Sequence, residues 1–152
     1  MDKKNIYISS SWKQRENVRM LAGILRSFGH SVYDFTDPGC RKHSEIIPPE
    51  KYPKLFDPEI HIYYDYLTES DSWQRTILEN RSAIKEADIV ILLLPCGIDA
   101  HVDWAYGVGL GKATLIVGQP PKGERSPVHL WANDFFKDIE DLLTTGREKG
   151  WI

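Results

Sequence analysis

Ile89-Val90-Ile91-Leu92-Leu93-Leu94 is an unbroken apolar run in a chain of 152 residues. The run is short and has no polar alternation. It therefore reads as a central strand of a parallel sheet, covered by helices on both faces. Downstream, Val102 to Leu110 reads as a short helix and Ala113 to Val117 as another buried strand. Phe135-Phe136 follows a proline-rich loop as an edge strand, and Ile139, Leu142 and Leu143 form the stripe of a last helix. Upstream, Trp73, Ile77, Asn80, Ile84 and Ala87 recur at helical spacing, which predicts a helix from Ser72 to Glu86 with polar Asn80 on its apolar face.

The amino-terminal part supplies the first unit. Ile6-Tyr7-Ile8-Ser9 reads as a buried strand, and Val18, Leu21, Ala22, Leu25 and Phe28 mark an amphipathic helix from Lys13 to Phe28. Gly29 ends that helix as a left-handed cap, and Ser31-Val32-Tyr33-Asp34 is the next strand. Two strands joined through a helix imply a right-handed βαβ unit. Five strands alternating with helices give an α/β, flavodoxin-like, doubly wound parallel sheet of order 2-1-3-4-5, in a single domain spanning 1–152. Ligands of such sheets bind beyond the strand carboxyl ends, here between the first and third strands. Residues Thr36 to Tyr66 interrupt the pattern with many prolines, charges and aromatics. The segment is too long for a plain connection, and reads as a functional flap or a flexible insertion.

Composition narrows the function classes. A hydrophobic content of 41% fits a globular domain. A net charge of -3 with mixed signs offers no footprint for a nucleic-acid polymer and no basic stripe for a membrane surface. No apolar run approaches the roughly 18 residues of a spanning helix. Met1 to Asn5 leads straight into the first strand, so no signal peptide is expected. Cys40 and Cys96 lack metal-ligand spacing and read as reduced thiols of a cytoplasmic protein; neither a metal nor a cofactor is expected.

Three stretches carry candidate chemistry. Ser9-Ser10-Ser11-Trp12 lies where the first strand meets its helix, and its hydroxyls suit a phosphate or sugar; a helix cap alone needs one serine. Pro95 to Asp103 joins the central strand to the next helix. There Asp99 can cap the helix and Asp103 can favour its positive end, or that end can keep Asp103 ionised as a carboxylate nucleophile. Gly107, Gly109, Gly111 and Lys112 look like a phosphate loop, but they close a helix instead of opening one. They read as helix termination and close helix–sheet packing.

The chain resembles the nucleoside 2-deoxyribosyltransferases and the related deoxynucleotide N-hydrolases. Ile6 to Trp12, Ala87-Asp88-Ile89-Val90, Tyr33-Asp34-Phe35, His43-Ser44-Glu45-Ile46 and above all Leu94-Pro95-Cys96-Gly97 with Ala100-His101 carry the likeness. The resemblance implies that a carboxylate attacks the anomeric carbon of a 2-deoxyribosyl group, as in retaining glycosidases. Asp103 occupies the nucleophile's position, Tyr7 that of its holder, and Asn80 that of a second carboxylate which helps protonate the base. Ser9, Ser10, Ser11, Trp12, Asp34, His43, Glu45, Gly97 and His101 are the implied substrate-binding residues. The partner is a small nucleoside or its 5′-monophosphate, and the assembly a homo-oligomer, to which an apolar Trp151-Ile152 end lends support. Two departures stand out: the family nucleophile is Glu, one methylene longer, and an amide at position 80 delivers no proton at neutral pH. A non-catalytic nucleotide sensor on the same fold is therefore a second reading, and a TIR-like NAD hydrolase a third.

Overall fold

The computed structural model describes residues 2–42 and 71–152, with the backbone alone for residues 71–73. Strands β1 (Asn5–Ser9), β2 (Ser31–Asp34), β3 (Ile89–Leu93), β4 (Ala113–Val117) and β5 (Asp134–Phe136) form one sheet of order β2-β1-β3-β4-β5. Every pairing is parallel. The flavodoxin-like winding expected from the run at Ile89 is thus the observed one.

Alternation along the strands divides the core. Ile6, Ile8, Ile89, Ile91, Leu93, Leu115 and Val117 face α1 (Arg15–Ser27) and the final helix. Tyr7, Val90, Leu92, Leu94 and Ile116 face α2 (Asp71–Glu86) and α3 (Ile98–Gly109). The final helix, α4, starts at Ile139–Asp141 and continues as a π-helical turn, Leu142–Gly146. Its buried Leu142 belongs to the α1 side. Ser11 caps a short 3-10 turn, Trp12–Gln14, ahead of α1. Gly29, at φ +94°, ends the α1 turn as expected.

The glycine series after Asp103 separates into distinct roles. A Cβ on Gly107 would lie 2.8 Å from Val90 Cγ2, so this glycine lets α3 rest on β3. Gly111, at φ +70°, turns the chain out of the helix toward β4.

Several expectations need correction or limits. Helix α3 begins at Ile98, not Val102, because the chain is already extended at the Gly97 cap. Ile77, assigned to an apolar stripe, is 53% exposed, since only the second half of α2 lies over the sheet, through Ile84 and Ala87. Phe28 is 39% exposed and stacks under the Arg147 guanidinium, 4.7 Å from its ring centre. Trp151 and Ile152 are taken up by this chain's own fold. Ile152 is 0% exposed, and the Trp151 indole donates to Asp134 at 2.9 Å. Ile152 is therefore closed to a second copy, and Trp151 is only partly exposed. Most of the Thr36 to Tyr66 segment, with Trp73's side chain, lies outside the described residues. No described helix is long and apolar enough to cross a membrane.

Gly107→Ala is expected to cost about 1–3 kcal/mol, because Val90 is buried and cannot yield freely. Gly109→Ala meets nothing within 4 Å and serves as the control, neutral or up to about 1 kcal/mol more stable. Urea denaturation of both variants checks the pair.

Candidate functional site

The site grows from the β1–β2 register. Tyr7 pairs with Tyr33, so both side chains leave the sheet on the α2/α3 face. Their rings stack, with centres 5.2 Å apart and planes 9° apart. The Tyr7 hydroxyl donates to Asp103 Oδ2 at 2.7 Å, and Asn80 Nδ2 donates to the same oxygen at 3.4 Å. The Tyr33 hydroxyl donates to Asn80 Oδ1 at 3.1 Å. Elements β1, β2, α2 and α3 each contribute one side chain to this cluster.

Electrostatics follow from burial. Desolvation, then the Asp103 charge, push the Tyr7 hydroxyl well above its ordinary range. Burial lifts Tyr33 to about 12 against the opposing pull of the Arg41 guanidinium. Both phenols therefore stay protonated donors. Burial also raises the Asp103 carboxyl, and the Tyr7 hydroxyl bond opposes the rise. Asp99, one turn earlier, adds to it, and the Asn80 bond works the other way. The net direction is upward, so the helix end does not hold this carboxyl low. Asp103 is more basic than an exposed aspartate.

The remaining candidates are placed as follows. Ser9 Oγ donates to Ala100 O at 2.9 Å and Ser10 Oγ to Leu93 O at 2.8 Å, which tie the β1 loop to α3 and β3. Ser11 caps the turn that follows it. Trp12 packs on Phe35 with ring centres 5.9 Å apart. Asp34 is buried and accepts from the Thr36 amide and hydroxyl, so Oδ1 is used in shaping the end of β2. Gly97 caps α3, and its carbonyl lies 2.9 Å from His101 Nδ1. His43 and Glu45 lie outside the described residues.

His101 turns instead to His129, with 3.0 Å between the Nε2 atoms. The ring centres are 5.3 Å apart and the planes 22° apart. With the Nε2 atoms this close and the ring centres this far apart, the rings meet tip to tip. Gly97 O can only accept, which puts a proton on His101 Nδ1 and makes His101 Nε2 the acceptor from His129. Burial, then His101, lower the His129 pKa, which favours this neutral pair.

Tyr33 and His129 are the residues that sequence reasoning did not assign. Strand parity beside Tyr7 could have pointed to Tyr33. Nothing periodic marks His129, which sits in the turn Pro127–Trp131. Among the described residues, no group of three or more His, Cys, Asp or Glu could hold a metal ion. A cavity of about 350 Å³ opens at the carboxyl ends of β3 and β4, between Asn17, Gly118 and Glu140. It lies toward α1 and α4, and no member of the Asp103 cluster lines it.

The fold has solved counterparts. The 2-deoxyribosyltransferase of the psychrotolerant bacterium Bacillus psychrosaccharolyticus matches with a TM-score of 0.58 and 20% identity, over 91% of this chain and 90% of that one. The CMP N-glycosidase BcmB of Clostridium botulinum matches with a TM-score of 0.54 and 15% identity, over 96% of this chain and 99% of that one. At these identities the likeness establishes the fold. No protein-family model and no curated protein sequence matches the chain.

The raised Asp103 pKa makes a signed prediction. The folded state holds this proton more tightly than the unfolded chain, so wild-type stability falls as pH rises from the unfolded value, about 3.9, through the folded one. Asp103→Asn carries no such penalty. It is expected to melt higher than wild type at pH 7, with the gain vanishing below about pH 4. Thermal melts at the two pH values measure it.

Proposed function

We propose that this protein cleaves or transfers at the N-glycosidic bond of a nucleoside, a deoxynucleoside or its 5′-monophosphate, with Asp103 as nucleophile. The observation that carries the proposal is the one-sided grip on that carboxylate. Among the described residues both donors land on Oδ2, at 2.7 and 3.4 Å, and none on Oδ1, the oxygen that would attack. Oδ1 forms a bond to the anomeric carbon as the bond from that carbon to the base nitrogen breaks. The electron pair leaves with the base, which takes a proton there or from solvent. Water or a second base then displaces Asp103 from the sugar, with overall retention. Desolvation makes the carboxylate a better nucleophile than one in water. The likeness to a 2-deoxyribosyltransferase and to a CMP N-glycosidase supports the same bond as target.

A second reading, a nucleotide-binding module without turnover, is favoured by Asn80. Its amide contacts Asp103 where a proton-donating carboxyl would complete the chemistry, and both its ends are engaged within the protein. A cytoplasmic location fits the two free thiols, Cys40 and Cys96. A homo-oligomer belongs to the same proposal. Exposed Ile98, Val102, Leu130 and Trp131 offer apolar surface for a second copy, and light scattering showing a monomer at high micromolar concentration would count against it.

Product analysis with deoxynucleosides, their 5′-monophosphates and NAD tests the reading. Wild type is expected to release free base, and Asp103→Asn to fall to background. Asp103→Glu is expected to match or exceed wild type, by up to about a hundredfold, because the longer side chain restores reach. Asn80→Asp puts two carboxyls side by side to share a proton, and should raise activity where the base leaves protonated. The enzyme reading is overturned if wild type and both of these variants release no base from any substrate. Binding of a nucleotide without release would establish the second reading. Full turnover by Asp103→Asn would remove Asp103 from the nucleophile's role.

A further inference from the structure

We infer that Tyr33 is a positioning residue of this site: its hydroxyl fixes which end of the Asn80 amide faces Asp103. The inference takes Asp103 as the working carboxylate, and so rests on the proposed function for its kinetic arm alone. An amide has a donor end and an acceptor end that are almost the same shape. Turned one way, Asn80 supports the Asp103 charge. Turned the other way, it sets a carbonyl oxygen against a carboxylate oxygen about 3.4 Å away, two acceptors with no proton between them.

Tyr33 selects the first arrangement. Its O–H donates to Asn80 Oδ1 at 3.1 Å, which leaves only the Nδ2 end for Asp103. The parallel stack on Tyr7, 5.2 Å between centres, holds the Tyr33 ring in place. The Tyr7 ring so gripped is the one whose hydroxyl binds Asp103 directly. Burial keeps the Tyr33 phenol protonated, with its pKa at about 12, so it remains a donor at any pH where the protein works. The result is a one-way chain of hydrogen bonds. It runs from Tyr33 through Asn80 to Asp103 Oδ2, where it meets the second donor from Tyr7. The hydrogen bond that Tyr33 makes in this cluster goes to Asn80, not to Asp103.

The test is a titration of the Asp103 side-chain carboxyl by carbon-13 NMR in four proteins: wild type, Tyr33→Phe, Asn80→Ala and the double variant. Phenylalanine keeps the stack and removes only the hydroxyl. Tyr33→Phe is expected to raise the Asp103 pKa, because the Asn80 donor is no longer held in orientation. In the Asn80→Ala background the same change should have no further effect. An unchanged Asp103 titration in Tyr33→Phe overturns the inference. So does an equal shift in both backgrounds, since Tyr33 would then act without Asn80. If wild type turns over, Tyr33→Phe should lower kcat roughly tenfold and leave KM unchanged. A rise in KM with kcat intact would make Tyr33 a substrate contact and also overturn it. The titration needs no turnover, so a protein that releases no base but titrates as expected fails the proposed function while sustaining the role of Tyr33.

Discussion

A phenol hydroxyl buried inside an apolar core needs an acceptor, and Tyr7 finds one in Asp103, 2.7 Å away on α3. Left alone it would cost about 1–3 kcal/mol. The ring is 1% exposed, between β2 on one side and α3 above. That bond requires β1 to show its odd member to α3 and Ile6 and Ile8 to α1. A register error in β1 would send the hydroxyl into the α1 core and bring an isoleucine to Asp103. The order β2-β1-β3 and the position of α3 over β1 are thus bound to the chemistry of one side chain.

The serines at the end of β1 extend the same constraint. Their sequence suggests a cradle for a ligand. In the folded chain, Ser9 and Ser10 hold Ala100 O and Leu93 O, and so stitch α3 and the end of β3 to β1. His129 grips His101 at the next residue of the helix. The first half of α3 is therefore held at Ala100, His101 and Asp103 by three separate partners. Preorganisation of this kind lets a short aspartate hold a fixed position without a longer side chain to search for it.

The fold was legible because its signals are local. The apolar run at Ile89, the α1 stripe and the turn at Gly29 each require only neighbours in sequence. Tyr7 and Asp103 were legible through the resemblance, and Asn80 through its place as the polar residue on an apolar stripe. What escaped notice depends on distant partners. Trp151 and Ile152 read as an apolar end suited to a second copy, yet Lys4 Nζ binds the carbonyls of Gly150 and Trp151 at 2.8 and 3.0 Å within the chain. The true start of α3 is hidden in the sequence because Ile98 is exposed and lends no apolar stripe to the first turn. Tyr33 was visible as a strand residue, but its function required knowing that β1 and β2 pair in register. Asp34 was a ligand-contact candidate through the resemblance; its bond to Thr36, between near neighbours, carries no periodic signal in the sequence.

The site's hydrogen bonds span long stretches of chain. Tyr7 and Asp103 are 96 positions apart, Tyr33 and Asn80 47, and Asn80 and Asp103 23. Each closure carries a loop entropy that only the assembled sheet and helices can offset. No hairpin or single βαβ unit holds more than a fragment of the cluster, so it cannot form early on local structure and wait for the rest. It requires the docking of α3 onto β1 and α2. The protonation state of Asp103 is consequently a report on the whole topology: a chain that has collapsed without completing its winding has an ordinary, solvated aspartate there.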